Sequence, residues 1–195
     1  MPKGIATGSL YAQNGQRKYL NAEERARFLR AARDAPAQVR TFCLTLAHTG
    51  CRISEALNLT AADIQRTSGS IAIRCLKKRG KVVVREVPVP GRLLAELARV
   101  HKLGQQRREG LDARLWGWGR TTAWRLVKEV MADAGLRWLA ASPKGLRHAF
   151  GVHAICSGVP LNLVQKWLGH ADIATTAIYA NALGPEERAI ASRMW

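Results

Sequence analysis

Acidic residues are scarce in this chain of 195 residues: 14 Asp and Glu stand against 31 Lys and Arg, a formal net charge of +17 at pH 7. Such an imbalance favours a polyanionic partner, DNA or RNA, with an anionic membrane surface as the weaker alternative. Cysteine is also sparse and unpatterned. Cys43, Cys51, Cys75 and Cys156 form no Cys-x-x-Cys pair, and all but Cys75 fall in stretches that read as helical. Buried small hydrophobes in a reducing compartment fit that pattern better than a zinc site or disulfides. Aromatic residues are only 6% and carry no stacking motif, which weighs against RNA. No apolar run approaches the ~20 residues of a membrane-spanning helix. The opening stretch MPKGIATGSLYAQNGQRK lacks the apolar centre of a secretion signal. No Gly-Lys-Ser/Thr phosphate loop occurs, so a nucleoside triphosphate is not implied. His148 and His153 stand five apart, a poor fit to a helical metal-binding pair, and neither a metal nor another cofactor is expected.

Hydrophobic residues make up 47%, enough for a true core. Residues 1–19 mix Gly, Asn, Gln and basic residues without periodicity and read as a flexible basic arm. With no repeat, low-complexity tract or break in composition, residues 20–195 read as one domain. A helix starts at Asn21, with Glu24 in capping-box spacing. A second helix is expected over residues 37–48, closed by Gly50. CRISEALNL restarts helix at once, which sets Arg52 at a tight helix–helix junction. SIAIRCL and VVVREVPV are rich in β-branched residues and flank the polar turn KKRGK, a hairpin signal. Leu93, Leu97 and Val100 share one helical face. After the irregular stretch LGQQRREGLDARLWGWGR, Thr121 or Thr122 is expected to cap a helix running to Ala134. Ser142, Pro143 and Gly158 bracket another helix as N-cap, first turn and terminator. Shorter helices follow over 161–168 and 173–181, and Pro185 opens a last one whose Ala189, Ile190 and Met194 can form an apolar stripe. The fold class is α+β, mainly helical with a small antiparallel sheet.

Taken one at a time, the polar residues say little. An arginine is by default a solvated charge. Lys144 and Arg147, three apart, share a helix face as many idle pairs do. His170 could be a helix-end residue favoured by the dipole, and Tyr179 a packing residue. Their order says more. TGCRISEALNL, LKKRGKVVVREVPVP, PKGLRHAF and LGHADIATTAIYA follow one another in a way that resembles the tyrosine recombinase (phage integrase) family, over about residues 19–184.

That resemblance implies the tyrosine recombinase catalytic-domain fold and a set of roles. Arg52 and Arg147 match the family's two catalytic arginines, whose fixed charge and fork geometry suit the oxygens of a phosphodiester under attack. His170 matches a histidine that hydrogen-bonds the same phosphate. Tyr179 matches the nucleophile, which forms a 3′-phosphotyrosyl bond and releases a 5′-hydroxyl. The leaving oxygen takes its proton from a lysine of the hairpin turn, which here offers Lys77, Lys78 and Lys81; Lys77, directly after the strand, is favoured, with Lys78 next. Lys78, Arg79, Lys81 and His148 are expected to contact DNA. One position departs from the family: its usual His-x-x-Arg reads Lys144-Gly145-Leu146-Arg147, where the catalytic lysine can still contact the phosphate and donate a proton but is the poorer general base near neutral pH unless its pKa is lowered. His148 is expected to face another side of the helix and not to substitute. The resemblance further implies a site-specific recombinase on double-stranded DNA that needs no metal or nucleotide. It would be a homo-oligomer, tetrameric when sites are paired, in the cytoplasm with the nucleoid of a bacterial-type cell. Most family members carry a DNA-clamping domain ahead of the catalytic one. The short arm here resembles the fimbrial phase-switch recombinases instead. The rival readings are a non-cutting DNA-binding regulator on the same fold and a type IB topoisomerase.

Overall fold

Capping chemistry sets the first helices. In the computed structural model, the Asn21 side chain accepts from the Glu24 N–H and the Glu24 carboxylate accepts from the Asn21 N–H, both at 2.9 Å, starting α1 (Ala22–Asp34). The structure describes residues 9–76, 82–104, 112–181, 187–188, 191–192 and 194. The turn holding Lys77, Lys78, Arg79 and Lys81 therefore lies outside the described residues, as do Pro185, Ala189 and Ile190 of the tail. Helix α2 (Ala37–Thr49) ends on Gly50, whose N–H donates to the Leu46 carbonyl at 3.0 Å. Arg52 then caps the short α3 (Ile53–Ala56), the tight junction that its sequence implied.

A single turn of 3-10 helix (Ala61–Asp63) leads into a three-stranded antiparallel sheet in the order β1-β2-β3. Strands β2 (Ser70–Leu76) and β3 (Val82–Pro88) are the expected hairpin, with Ile71 opposite Val87 and Ile73 opposite Arg85. Strand β1 (Ile64–Gln65) was not foreseen, since two residues carry no readable alternation. Beyond the sheet come α4 (Gly91–Val100), α5 (Arg120–Asp133), α6 (Pro143–Cys156) and α7 (Leu161–Leu168). Last are α8 (Ala174–Ala177) and a 3-10 turn over Ile178–Asn181.

Helix α2 lies at the centre, with α1, α4 and α6 packed around it. Its Phe42 ring meets the Trp116 ring edge-on, centroids 5.0 Å apart, and the Trp116 indole N–H is satisfied by the Gln38 carbonyl at 3.0 Å. Cys43, Cys51 and Cys75 are buried. Burial pushes the Cys43 thiol up to about 12 and the Cys51 thiol to about 11, so both behave as inert hydrophobes. Among the described residues no helix is long and apolar enough to cross a membrane.

Two expectations need correction. Gly119, not Thr121 or Thr122, is the N-cap of α5, and both threonines fall in its exposed first turn. The flexible arm assigned to residues 1–19 does not hold for its described part, 9–19. Leu10 and Tyr19 are 2% and 0% exposed, Tyr11 bridges Arg17, and the Arg17 guanidinium lies over the Trp138 ring at 5.2 Å. Two apolar anchors separated by glycine, asparagine and glutamine leave no periodic pattern, which is why composition alone misled.

Candidate active site

Ser142 accepts from the Gly145 N–H at 3.1 Å and Pro143 fills the first turn, so α6 begins where its sequence says. That start fixes the phase of the helix. Lys144, Arg147 and His148 sit three and four residues apart and all open onto one cleft of about 890 Å³. Arg147 is 8% exposed; its Nη1 donates to the Gly50 carbonyl and its Nη2 to the Leu168 carbonyl, both at 2.7 Å. One guanidinium thus joins the end of α2 to the end of α7. Burial, and then the charge of Arg52, pull it down to about 10, still cationic at neutral pH.

Arg52 reaches the same cleft from the other side of Gly50. The Glu55 carboxylate accepts from the Arg52 N–H at 2.8 Å and from its Nη1 at 2.9 Å, which leaves the guanidinium half exposed but oriented. Glu55 is itself clasped from below by Arg85, only 4% exposed, at 2.6 Å. Burial would raise the Glu55 carboxyl, but hydrogen bonding and charge from Arg85, then Arg52, hold it below the usual carboxylate range. The Arg85 Nε donates to the Trp167 carbonyl at 2.7 Å. Gly169, with φ 68°, lies against it: a Cβ there would stand 3.0 Å from Arg85 Nη1. Arg85 therefore supports Arg52 through Glu55 and also the loop that carries His170.

His170 Nδ1 is 2.9 Å from the Thr176 hydroxyl, and its ring runs parallel to that of Tyr179 within 14°. Burial, followed by the charge of Arg147 and Arg52, lowers His170 to about 4. Tyr179 is 1% exposed and lies on Gly151 of α6, where a Cβ would stand 2.7 Å from the ring. Only glycine leaves that space. Burial raises the phenol above its usual value, with Arg147 and Arg52 pulling the other way. Its hydroxyl is 3.2 Å from His148 Nδ1. Burial, then Lys144, Arg147 and Lys18, lower His148 to about 4.

The structure brings Arg52, Lys144, Arg147, His148, His170 and Tyr179 into one cleft. The expectation that His148 faces another side of α6 is corrected: residues 144 and 148 are one turn apart, and His148 is the one that reaches the tyrosine oxygen. Sequence reasoning also missed Glu55, Arg85 and Lys18. Two of them left a signal. Arg85 breaks an apolar alternation at a position that faces the core, and Glu55 sits in N3 capping spacing from Arg52.

Compared with known sequences, residues 18–184 match the phage integrase family. The chain belongs to that family. Tyrosine recombinase XerA of Pyrococcus furiosus is 32% identical over 171 residues, covering 83% of this chain and 56% of that protein. Tyrosine recombinase XerD of Neisseria meningitidis serogroup A is 37% identical over 142 residues, covering 68% and 46%. This phage integrase family member thus spans about half the length of those relatives. The crystal structure of XerA recombinase superposes on all of it with a TM-score of 0.75 at 23% identity, using 66% of that chain. XerH recombinase bound to a palindromic difH substrate, a post-cleavage complex, also covers 100% of the chain and 58% of its own, with a TM-score of 0.67 at 26% identity. The fold, mainly helical with a small antiparallel sheet, is that of the tyrosine recombinase catalytic domain.

Proposed function

We propose that this phage integrase family member cuts and rejoins double-stranded DNA at specific sites through a 3′-phosphotyrosyl intermediate. One observation carries the reading: a tyrosine oxygen and two arginines converge on a single cleft in a chain of net charge +17. In that reading a DNA phosphate enters between Arg52 and Arg147, which stabilise charge growing on its non-bridging oxygens without reorganising. His170, neutral and fixed by Thr176, hydrogen-bonds the same group. The Tyr179 oxygen attacks phosphorus, the bond to the 5′-oxygen breaks, and that oxygen takes a proton from the ammonium of Lys77 or Lys78. Because the phosphotyrosine retains the energy of the broken ester, a 5′-hydroxyl of a second strand can reseal it without ATP. Exchange between two sites calls for several copies of the chain, a tetramer in synapsis, acting on nucleoid DNA in the cytoplasm.

The test uses duplexes selected from a randomised library by binding to the Tyr179→Phe protein. The wild-type chain, incubated with nicked forms of these duplexes and denatured in detergent, should carry covalently attached DNA. Tyr179→Phe should bind as well, within about twofold, because every phosphate-binding cation remains, and should carry none. An adduct on the phenylalanine variant, or none on the wild type, would reject the assignment. The second of these outcomes is the one that a non-cutting regulator would give.

A further inference from the structure

A nucleophilic phenol must lose its proton as it attacks, and lysine, standing in place of the usual histidine, is the poorer acceptor near neutral pH. We propose that His148, rather than Lys144, is the general base that takes the proton from Tyr179. The inference rests on the strand-cutting reading and adds a group to it.

Geometry selects His148. Its Nδ1 lies 3.2 Å from the Tyr179 oxygen, within the range for direct proton transfer. Among the described residues it is the side chain recorded in hydrogen-bond contact with that hydroxyl. Lys144 lines the same cleft one turn earlier, with its side chain exposed. The surroundings also keep His148 unprotonated before the step. The charged and titratable groups around it are Lys144 and Arg147 on its own helix, Lys18 from the N-terminal segment, and His170 and Tyr179 from the C-terminal side. With burial, these cations keep the imidazole neutral, so a ring nitrogen has a free lone pair at working pH. The step requires the lone pair on Nδ1 and the ring proton on Nε2, so that the phenol donates across the 3.2 Å contact.

The step balances. The Tyr179 O–H bond breaks and its proton moves to His148 Nδ1, the tyrosine oxygen bonds to phosphorus, and the 5′-oxygen leaves with a proton from a lysine ammonium. In the reverse step His148 returns the proton to the tyrosine oxygen as a 5′-hydroxyl attacks. The negative charge of an entering phosphate offsets the surrounding cations and so raises the proton affinity of the ring during the step.

The test compares His148→Asn with the wild type and with Lys144→Ala on the selected nicked duplexes. Asparagine keeps a polar atom near the place of Nδ1, so it can hold the hydroxyl but cannot take its proton. We expect adduct formation by His148→Asn to fall on the order of 100-fold at saturating DNA, so that any change in affinity does not enter the rate. Its rate should then climb about tenfold per pH unit, because only ionised tyrosine attacks. The wild type and Lys144→Ala should stay flat between pH 6.5 and 8. A purely structural role for His148 would lower the rate without adding that slope. A His148→Asn protein as fast as wild type, or a Lys144→Ala protein that alone acquires the slope, would overturn the proposal. The ring nitrogens of His148 in the wild-type chain, read by ¹⁵N NMR, give a second measurement that needs neither a variant nor DNA. A bare Nδ1 and a protonated Nε2 are expected, and the opposite tautomer would also overturn it. A wild-type chain that forms no adduct would instead reject the strand-cutting reading itself, and that outcome is separate.

Discussion

Replacing Gly151 by alanine should slow the chemistry far more than it weakens the fold. The added methyl would stand 2.7 Å from Cε1 and Cζ of Tyr179 and 2.8 Å from Cδ1. Carbon atoms in contact ordinarily sit about 3.5–4.0 Å apart, so roughly 1 Å must be found. Helix α6 cannot supply it, because Phe150 and Val152 on either side are buried and the helix packs on α2. The ring must move instead, and a 1 Å displacement breaks the 3.2 Å contact with His148. Overpacking costs about 1–3 kcal/mol, offset by about 1 kcal/mol of improved helix propensity. The net loss of about 0–2 kcal/mol should lower Tm by no more than about 8 °C in a domain of this size. The rate should suffer more, on the order of 100-fold for a nucleophile misplaced by 1 Å. Calorimetry, DNA titration and an adduct time course on the same protein separate these effects. Gly91→Ala, where nothing lies within 4 Å of the new methyl, is the control. A Gly151→Ala chain that forms adduct at the wild-type rate would show that Tyr179 does not work from this position.

The support beneath the arginines makes its own prediction. Arg85→Met leaves the buried Glu55 without its strongest partner, and truncating one side of such a pair costs about 3–5 kcal/mol, or on the order of 10 °C in Tm; a thermal melt within 1 °C of wild type would refute it. The histidines predict an acid-labile fold. His48, His148 and His170 are each lowered to about 4 by burial and nearby cations, and His101 and His153 are lowered as well. Unfolded histidine titrates near about 6.5, so below that pH the unfolded chain binds more protons than the folded one. The stability that these groups contribute is complete above about 6.5 and is lost as pH falls towards about 4. Urea midpoints at pH 7, 5.5 and 4.5 should decline in that order, and a constant midpoint would contradict the reasoning.

Much of the fold was readable because its signals are local. The capping box at Asn21, the Gly50 terminus, Ser142 with Pro143, and the hairpin each depend on residues within one turn or one strand pair. The N-terminal segment was not readable: Leu10 and Tyr19 belong to the core, and no periodic pattern around them marks it. The start of α5 was misread for the opposite reason, since two good capping side chains stood next to a glycine whose extended backbone made the cap.

The sequence by itself determined which chemistry is present. It placed two arginines, a histidine and a tyrosine at family spacing, in a strongly basic chain, and it put a lysine where a histidine is usual. Only the tertiary structure decided how these groups are arranged. His148 meets a tyrosine 31 residues away, Arg85 meets a glutamate 30 residues away, and Arg147 donates to a carbonyl 97 residues away. Each of these contacts is set by the rotation and tilt of whole elements packed on a common core. Periodicity fixes which side chains share a face of α6, but the direction that face takes is fixed by burial of Leu146, Ala149 and Phe150 against the rest of the protein.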